Sequence, residues 1–348
     1  MSVTQPRLRF IDSLKAIASQ LILLHHLAFY GPLSEAAHRT LPLVFEWLAR
    51  DARIAVQVFL VIGGFLAARS LAPEGMLATK KPFEHIRKRY FKLAIPLIGA
   101  VFVSIVLSAI ARQMFSDDAI PSAPTILQIL AHATLLHGIL GVDSLSAGVW
   151  YIAIDFQLYT LLLGTLWVAR RFAPEHAQTT AKTLILLLVV LSLLHFNRQS
   201  DWDNWAIYFI GAYGLGVLTF WNGRNKNVLT GLMIIAAIVG IALIIDFRSR
   251  ILIALLTALS LGFAQYLNKL TVWPQNQVLA WLGKISYSVF LIHFPIILII
   301  NGIYARAAPT APSASLYFAA IAWMASIVGG AVFYRYVENR NVALPALK

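Results

Sequence analysis

Residues 278–303 read VLAWLGKISYSVFLIHFPIILIINGI. At about 1.5 Å per residue, a helix of this length exceeds the roughly 30 Å of a bilayer's hydrocarbon core. Nine more apolar blocks, most of them near 20 residues, recur along the chain, at 10–30, 53–71, 93–115, 149–169, 182–196, 205–221, 228–246, 251–267 and 316–337. The sequence therefore predicts an all-α, polytopic transmembrane helical bundle of about ten spans.

The composition excludes several classes of protein. Of the 348 residues, 59% are hydrophobic and 12% are charged, about half the ~25% charged residues of a soluble domain. Soluble α/β enzymes, disordered chains and nucleic-acid modules are set aside, although the net charge is +13. We interpret that charge as a topology signal and an attraction to anionic lipid. Because the chain has no cysteine, disulfides, thiolate nucleophiles and cysteine-ligated metals are excluded.

Basic residues predict the orientation. If the amino terminus is inside, 19 lysines and arginines lie on the cytoplasmic side and eight lie outside, as the positive-inside rule requires. We expect both termini in the cytoplasm. We also expect residues 10–30 to form the first span and not a cleaved signal peptide. The long segments 31–52 and 116–148 are predicted as outer loops and 72–91 as an inner loop, while 125–140 is predicted as an interfacial or re-entrant helix. Residues 1–348 are expected to form one domain without a soluble extracytoplasmic domain.

Ionisable side chains inside spans are costly and mark functional sites. In the first span, Lys15, Ser19 and His26 fall within about 40° of one line at 100° per residue, and Asp12 lies on the same side. His25 points about 100° away. Asp12 and Lys15 also fit a simple ion pair at the membrane interface, whereas His26 lies too deep for that interpretation.

The ninth span carries a second deep histidine. Ser286 and His293 are seven residues apart and share one face of the helix, just before Pro295. His293 can satisfy local packing where the proline interrupts the helix. Two deep histidines in separate spans favour a shared polar cavity instead.

The fourth span carries a buried acid. Asp155 lies several residues into the span, with tyrosines four residues away on each side, at Tyr151 and Tyr159. Gln157 points about 200° away from Asp155, and Trp150 alone is typical of an interfacial aromatic belt.

A basic segment, KKPFEHIRKRYFK at residues 80–92, ends the inner loop. Such clusters bind lipid head groups, or they hold the phosphates of a soluble donor with arginine forks. The spacing alone leaves both interpretations open for Arg87, Arg89 and Lys92.

These segments together resemble membrane acyltransferase family 3, whose members O-acylate cell-surface glycans. Five stretches carry the resemblance in order: RFIDSLKAIA at 9–18 with His26 after it, FLVIGGFL at 59–66, RYFKLAIP at 89–96, VWYIAIDFQLY at 149–159 and ISYSVFLIHFP at 285–295. The chain departs from the family pattern at Lys15 and Lys92, where arginine is usual, at Gly63, where serine is common, and at Asp155, where glutamate is usual. A lysine keeps the charge but loses the bidentate fork of arginine.

The resemblance implies transfer of an acyl group, with acetyl expected, from cytoplasmic acyl-CoA to a hydroxyl of a cell-surface carbohydrate or related acceptor. His26 is expected to act as general base or to be transiently acylated, in a catalytic set with Asp12, Asp155 and His293. The donor is assigned to Arg87, Arg89, Lys92 and Lys15. The acceptor is assigned to Trp150, Gln157, Tyr159, Ser286 and Tyr287. No metal is expected, the location is the bacterial cytoplasmic membrane, and an unlinked periplasmic partner is one way to complete transfer.

Two other functions remain open. A secondary transporter or flippase of a glycan or acyl intermediate uses buried ions as a substrate or proton path, but the chain has no evident internal repeat. A non-catalytic membrane partner of polysaccharide assembly is the second, and the deep histidines argue against it.

Overall fold

The computed structural model describes residues 7–340, and these contain helices and no strands. The thirteen α-helices are α1 (Arg9–Phe29), α2 (Gly31–Thr40), α3 (Pro42–Arg50), α4 (Val56–Leu71), α5 (Pro82–Ala111), α6 (Ile126–Ala133), α7 (Trp150–Phe172), α8 (Ala177–Leu194), α9 (Ala206–Asn222), α10 (Val228–Ile245), α11 (Ser249–Tyr266), α12 (Gln277–Ala307) and α13 (Ala314–Phe333). A π-helical turn, Tyr334–Glu338, follows α13. The predicted all-α fold is confirmed.

Each of the ten predicted spans coincides with a helix. Within 7–340, eight helical segments are long and apolar enough to cross a membrane, and α1 with α2, bent by 93°, brings the number to nine. Helix α9 is also apolar, but its 17 residues leave it just too short to be counted among these segments. The chain is therefore a multi-span membrane protein. The predicted cytoplasmic placement of both termini concerns residues 1–6 and 341–348, which lie outside the described part of the chain.

Two predicted loops are helical instead. Residues 31–52 form α2 and α3, each with a proline in its first turn, where proline favours helix initiation. Their apolar side chains, including Leu33 and Phe45, join a buried cluster with Ile297, so tertiary packing stabilises these short helices. In the predicted loop 72–91, helix α5 already begins at Pro82, which places much of the basic segment on a helix.

The segment predicted as an interfacial or re-entrant helix contains α6, whose eight residues are too few to cross a membrane. It begins with a capping box, in which Thr125 accepts from the backbone of Gln128 and the Gln128 side chain accepts from the backbone of Thr125. Two bonds of this kind satisfy backbone donors at the start of the helix.

The described residues form two compact units. The first unit comprises 7–15, 56–89 and 154–283, and the second comprises 16–55, 90–153 and 284–340. In the first unit, α4 packs closely on α9. A side chain at Gly64 would place Cβ 1.8 Å from the carbonyl oxygen of Tyr213, and one at Gly216 would place it 1.9 Å from that of Val61. Only glycine permits this approach, as at other packed membrane helices.

In the second unit, a buried asparagine supports the bend between α1 and α2. Oδ1 of Asn301 accepts the backbone N–H of Leu33 at 2.9 Å, and Nδ2 donates to the carbonyl of Tyr30 at 3.3 Å. These bonds satisfy backbone groups that the bend leaves without helical partners. The bend follows the last turn of α1, which contains His26.

Candidate active site

A pair of hydrogen-bonded histidines, whose rings lie side by side nearly in one plane, is found in the second unit. Nδ1 of His26 is 2.6 Å from Nε2 of His293, and the two rings are nearly parallel, with centroids 4.9 Å apart. Nδ1 of His293 is 3.1 Å from the carbonyl oxygen of Val289, one turn earlier in α12. His26 is 8% exposed and His293 is fully buried. The structure thus brings together the two deep histidines.

Aromatic rings and a glycine border this pair. The ring of Tyr30 lies 5.5 Å from that of His26, and the ring of Phe290 lies 6.2 Å from that of His293. Gly148 has φ +82°, and a Cβ there would be 3.0 Å from Cζ of Phe290 and 3.7 Å from Cε1 of His26. This contact could not be predicted from the sequence, because Gly148 is 122 positions from His26 along the chain.

His25, the neighbouring histidine, has a different partner. Its Nδ1 lies 3.0 Å from the carbonyl oxygen of Leu48 in α3. A carbonyl oxygen only accepts, so this nitrogen donates. The bond ties α1 to α3 and agrees with the prediction that His25 points away from the polar face of His26.

The first unit contains an ion pair between a buried acid and a half-buried arginine. Nη2 of Arg89 donates to Oδ2 of Asp155, and the Arg89 guanidinium lies 5.1 Å from the ring centre of Tyr159. Asp155 is buried. The sequence had assigned Arg89 to the donor and Asp155 to catalysis, and the structure pairs them with each other. Paired charges are the usual way to place an ion inside a membrane protein.

Tyr213 completes this cluster and was missed by the sequence analysis, since it lies in an apolar helix. It is fully buried, and its hydroxyl has no hydrogen-bond partner among the described residues. A Cβ at Gly63 would be 3.1 Å from Cε2 of Tyr213 and 3.4 Å from Oδ1 of Asp155. Gly63 therefore leaves room for the Tyr213 ring next to Asp155.

Asp12, the acid of the first span, forms an ion pair with a residue just before that span. Arg7 forms an ion pair with Asp12 and also donates to the carbonyl of Ala280 at 2.6 Å. Lys15 is half-buried.

Gln157 bonds at both ends of its side-chain amide to the backbone, donating to the carbonyl of Asn204 at 3.2 Å and accepting the N–H of Ala206 at 2.9 Å. These bonds fix the start of α9, while binding of an acceptor by Gln157 stays a prediction.

The remaining predicted residues differ in exposure. Arg87 and Lys92 are exposed, Trp150 is 37% exposed, and Ser286 is buried. The hydroxyl of Tyr287 donates to the carbonyl of Leu93 at 3.0 Å. Their functional roles stay predictions.

A second buried histidine pair lies outside the candidate spans, beside α6. The rings of His132 and His137 stack with centroids 4.3 Å apart. His132 Nε2 accepts the N–H of Leu145 at 3.1 Å, and its Nδ1 lies 2.7 Å from the carbonyl of Gln128. Neither ring nitrogen of His137 has a hydrogen-bond partner in the described chain. Burial lowers the pKa of both rings, that of His137 to about 4.

No group of three histidine, cysteine, aspartate or glutamate side chains within 7–340 is arranged to hold a metal ion.

Comparison with known sequences decides the family. The family profile described as an acyltransferase domain matches residues 8–335, nearly the whole chain. The chain belongs to acyltransferase family 3. A relative from Caenorhabditis elegans, "Regulator of hypoxia-inducible factor 1", is 22% identical over 354 aligned residues, which cover 85% of this chain and 70% of the relative. No solved structure matches the chain. Membership makes the protein an acyltransferase, as the sequence predicted.

Proposed function

We propose that this acyltransferase moves an acyl group, with acetyl the expected one, from acyl-CoA to a hydroxyl of a cell-surface carbohydrate. The observation that carries the proposal is the contact between His26 and His293. A buried imidazole held by a second imidazole is suited to take a proton from an acceptor hydroxyl. The His26 residue keeps 8% exposure, which a substrate-facing group needs.

The reaction requires one proton acceptor. The acceptor hydroxyl oxygen attacks the thioester carbonyl carbon, so that a C–O bond forms and the C–S bond breaks. His26 takes the hydroxyl proton and passes it to the departing CoA thiolate, which leaves as the thiol. If His26 is acylated first, its nitrogen attacks the thioester carbon, the C–S bond breaks and CoA leaves as the thiolate. The hydroxyl oxygen then attacks the acyl carbon, the C–N bond breaks, and the hydroxyl proton goes to the CoA thiolate. Atoms and charge balance in both routes.

The donor is proposed to bind through its phosphates at the basic segment. Arg87 and Lys92 are exposed and are therefore accessible to a soluble anion, with Lys15 as a further cation. Arg89 is paired with Asp155, so Asp155 would orient the Arg89 guanidinium toward a donor phosphate. This arrangement requires the protein to lie in the cytoplasmic membrane of a bacterial cell, with the basic segment on the cytoplasmic side.

The acceptor is proposed to enter near the end of α1. A cavity of about 380 Å³ there is lined by Phe29, Tyr30, Gly31, Ser34, Glu35, Asp117, Asp118 and Ala119. This volume lies within the usual range of ligand pockets. Aromatic rings and carboxylates together suit a sugar, whose hydroxyls donate hydrogen bonds. Tyr30 lines this cavity and its ring also contacts that of His26. An acceptor bound in the cavity would therefore be separated from the proposed base by the Tyr30 ring. An unlinked periplasmic partner would complete delivery of the acceptor.

Inverted membrane vesicles from cells that express the chain provide the test. They are supplied with radiolabelled acetyl-CoA, and label is counted in esters that mild alkali releases from carbohydrate. The CoA thiol released is measured in parallel with a thiol reagent, to which the cysteine-free chain itself contributes no signal, and vesicles without the chain give the background. We expect both signals from wild-type vesicles and their loss in His26→Ala.

The matched control is His25→Ala, which removes the neighbouring buried histidine and its bond to Leu48. This variant should keep most of the activity. Equal loss in both variants at equal protein level would contradict the assignment to His26, and vesicles that transport label without forming esters would support a flippase.

A further inference from the structure

Hydrogen-bond chemistry determines where the protons of the histidine pair lie. The carbonyl oxygen of Val289 has no proton to give, so Nδ1 of His293, at 3.1 Å, must be the donor. A neutral imidazole carries one N–H. Nε2 of neutral His293 is consequently bare and can only accept.

The proton of the His26 ring lies on the nitrogen that faces His293. Nδ1 of this ring lies 2.6 Å from the bare Nε2 of His293, so Nδ1 of His26 carries the proton of that ring. Nε2 of neutral His26 then holds a lone pair. None of the described residues forms a hydrogen bond with this nitrogen, and the ring retains slight exposure.

We propose that His293 is a positioning residue, whose Nε2 fixes His26 in the Nδ1–H tautomer and so makes Nε2 of His26 the reactive nitrogen. The inference rests on the proposed function of His26 and adds which atom reacts and what selects it. Orientation of a base by a third group, here the Val289 carbonyl acting through His293, is the logic of catalytic triads.

The contact also strengthens during reaction. When Nε2 of His26 takes the hydroxyl proton, the ring becomes an imidazolium whose Nδ1–H still donates to His293. A hydrogen bond from a charged donor is about twice as strong as a neutral one. This hydrogen bond therefore stabilises the transition state more than the ground state. Loss of the bond should lower kcat and leave KM nearly unchanged.

Three variants test this role by activity. His293→Leu removes the acceptor while keeping an apolar volume, His293→Gln keeps an acceptor oxygen near the position of Nε2, and His137→Leu changes a buried, stacked histidine elsewhere. We expect His293→Leu to lower kcat by about 10²- to 10⁴-fold with KM for acetyl-CoA nearly unchanged. His293→Gln should recover at least about tenfold of that loss, and His137→Leu should keep wild-type kcat. Equal defects in His293→Leu and His293→Gln, or a change in KM alone, would overturn the proposal.

A readout independent of activity separates this inference from the proposed function. In protein labelled with ¹⁵N-histidine, NMR distinguishes protonated from bare imidazole nitrogens, and the His26 signals are assigned by their loss in His26→Gln. We expect Nδ1–H with bare Nε2 for His26 in the wild type, and a mixture of tautomers in His293→Leu. A wild-type Nε2–H tautomer would overturn the positioning role even if His26→Ala is inactive. The predicted tautomer with an active His26→Ala would instead overturn the proposed function.

Discussion

Acid should open the segment around α6, because a buried neutral histidine must gain a proton there. The pKa of His137 falls from 6.5 to about 4, chiefly through burial and secondarily through the nearby His132. A group with a lowered native pKa binds more protons when unfolded, so stability decreases as the pH falls below 6.5. By this linkage, the cost to the closed segment is about 2 kcal/mol at about pH 5 and approaches about 3 kcal/mol near pH 4.

Hydrogen exchange of peptides from 126–145, corrected for the intrinsic pH dependence of exchange, measures this opening. We expect protection to fall about 20- to 30-fold between about pH 7 and pH 5, following the free energy above. His137→Phe keeps a stacking ring without a proton site and should remove most of that change. Peptides from α10, which has no titratable side chain, are the control. A pH-independent protection in the wild type, or an unchanged fall in His137→Phe, would refute the reasoning.

Three further results are expected. Gly148→Ala should lower acyl transfer at least about tenfold at equal expression, since the new Cβ is strained at φ +82° and crowds the ring beside His26; wild-type turnover would show that this contact is unimportant. Asp155→Asn, measured by thermal unfolding in detergent, should destabilise the protein by about 1.5–3 kcal/mol, because Arg89, only partly exposed, loses a hydrogen bond to a charged partner, and an unchanged midpoint would contradict that role. A cysteine at Ser122 should react with a membrane-impermeant thiol reagent in intact cells, and labelling only after permeabilisation would invert the predicted topology.

Hydropathy predicted where the helices lie, because the bilayer requires long apolar runs whatever their neighbours. It did not predict that 31–52 is helical. Helices α2 and α3 are short, and they depend on burying side chains such as Leu33 and Phe45 against distant parts of the second unit. The start of α5 at Pro82 was missed for a related reason, since its first turns are too polar for a hydropathy search.

Part of the candidate site also followed from the sequence. Helical periodicity and depth indicated that His26 and His293 share a cavity, and the structure places them in contact. The pairing of Arg89 with Asp155 could not be predicted, because 66 positions separate them and several acids were available. Tyr213 gave no signal within its apolar helix, and its buried hydroxyl becomes informative only once its neighbours are known.

The central claim is that His26 carries acyl transfer. The most direct measurement compares ester formation from radiolabelled acetyl-CoA in vesicles containing equal amounts of folded wild-type protein, His26→Ala and His25→Ala. We expect alkali-labile label with the wild type and with His25→Ala, and a loss of about 10²- to 10⁴-fold with His26→Ala, the usual contribution of a general base. Ester formation by His26→Ala at the wild-type rate would contradict it.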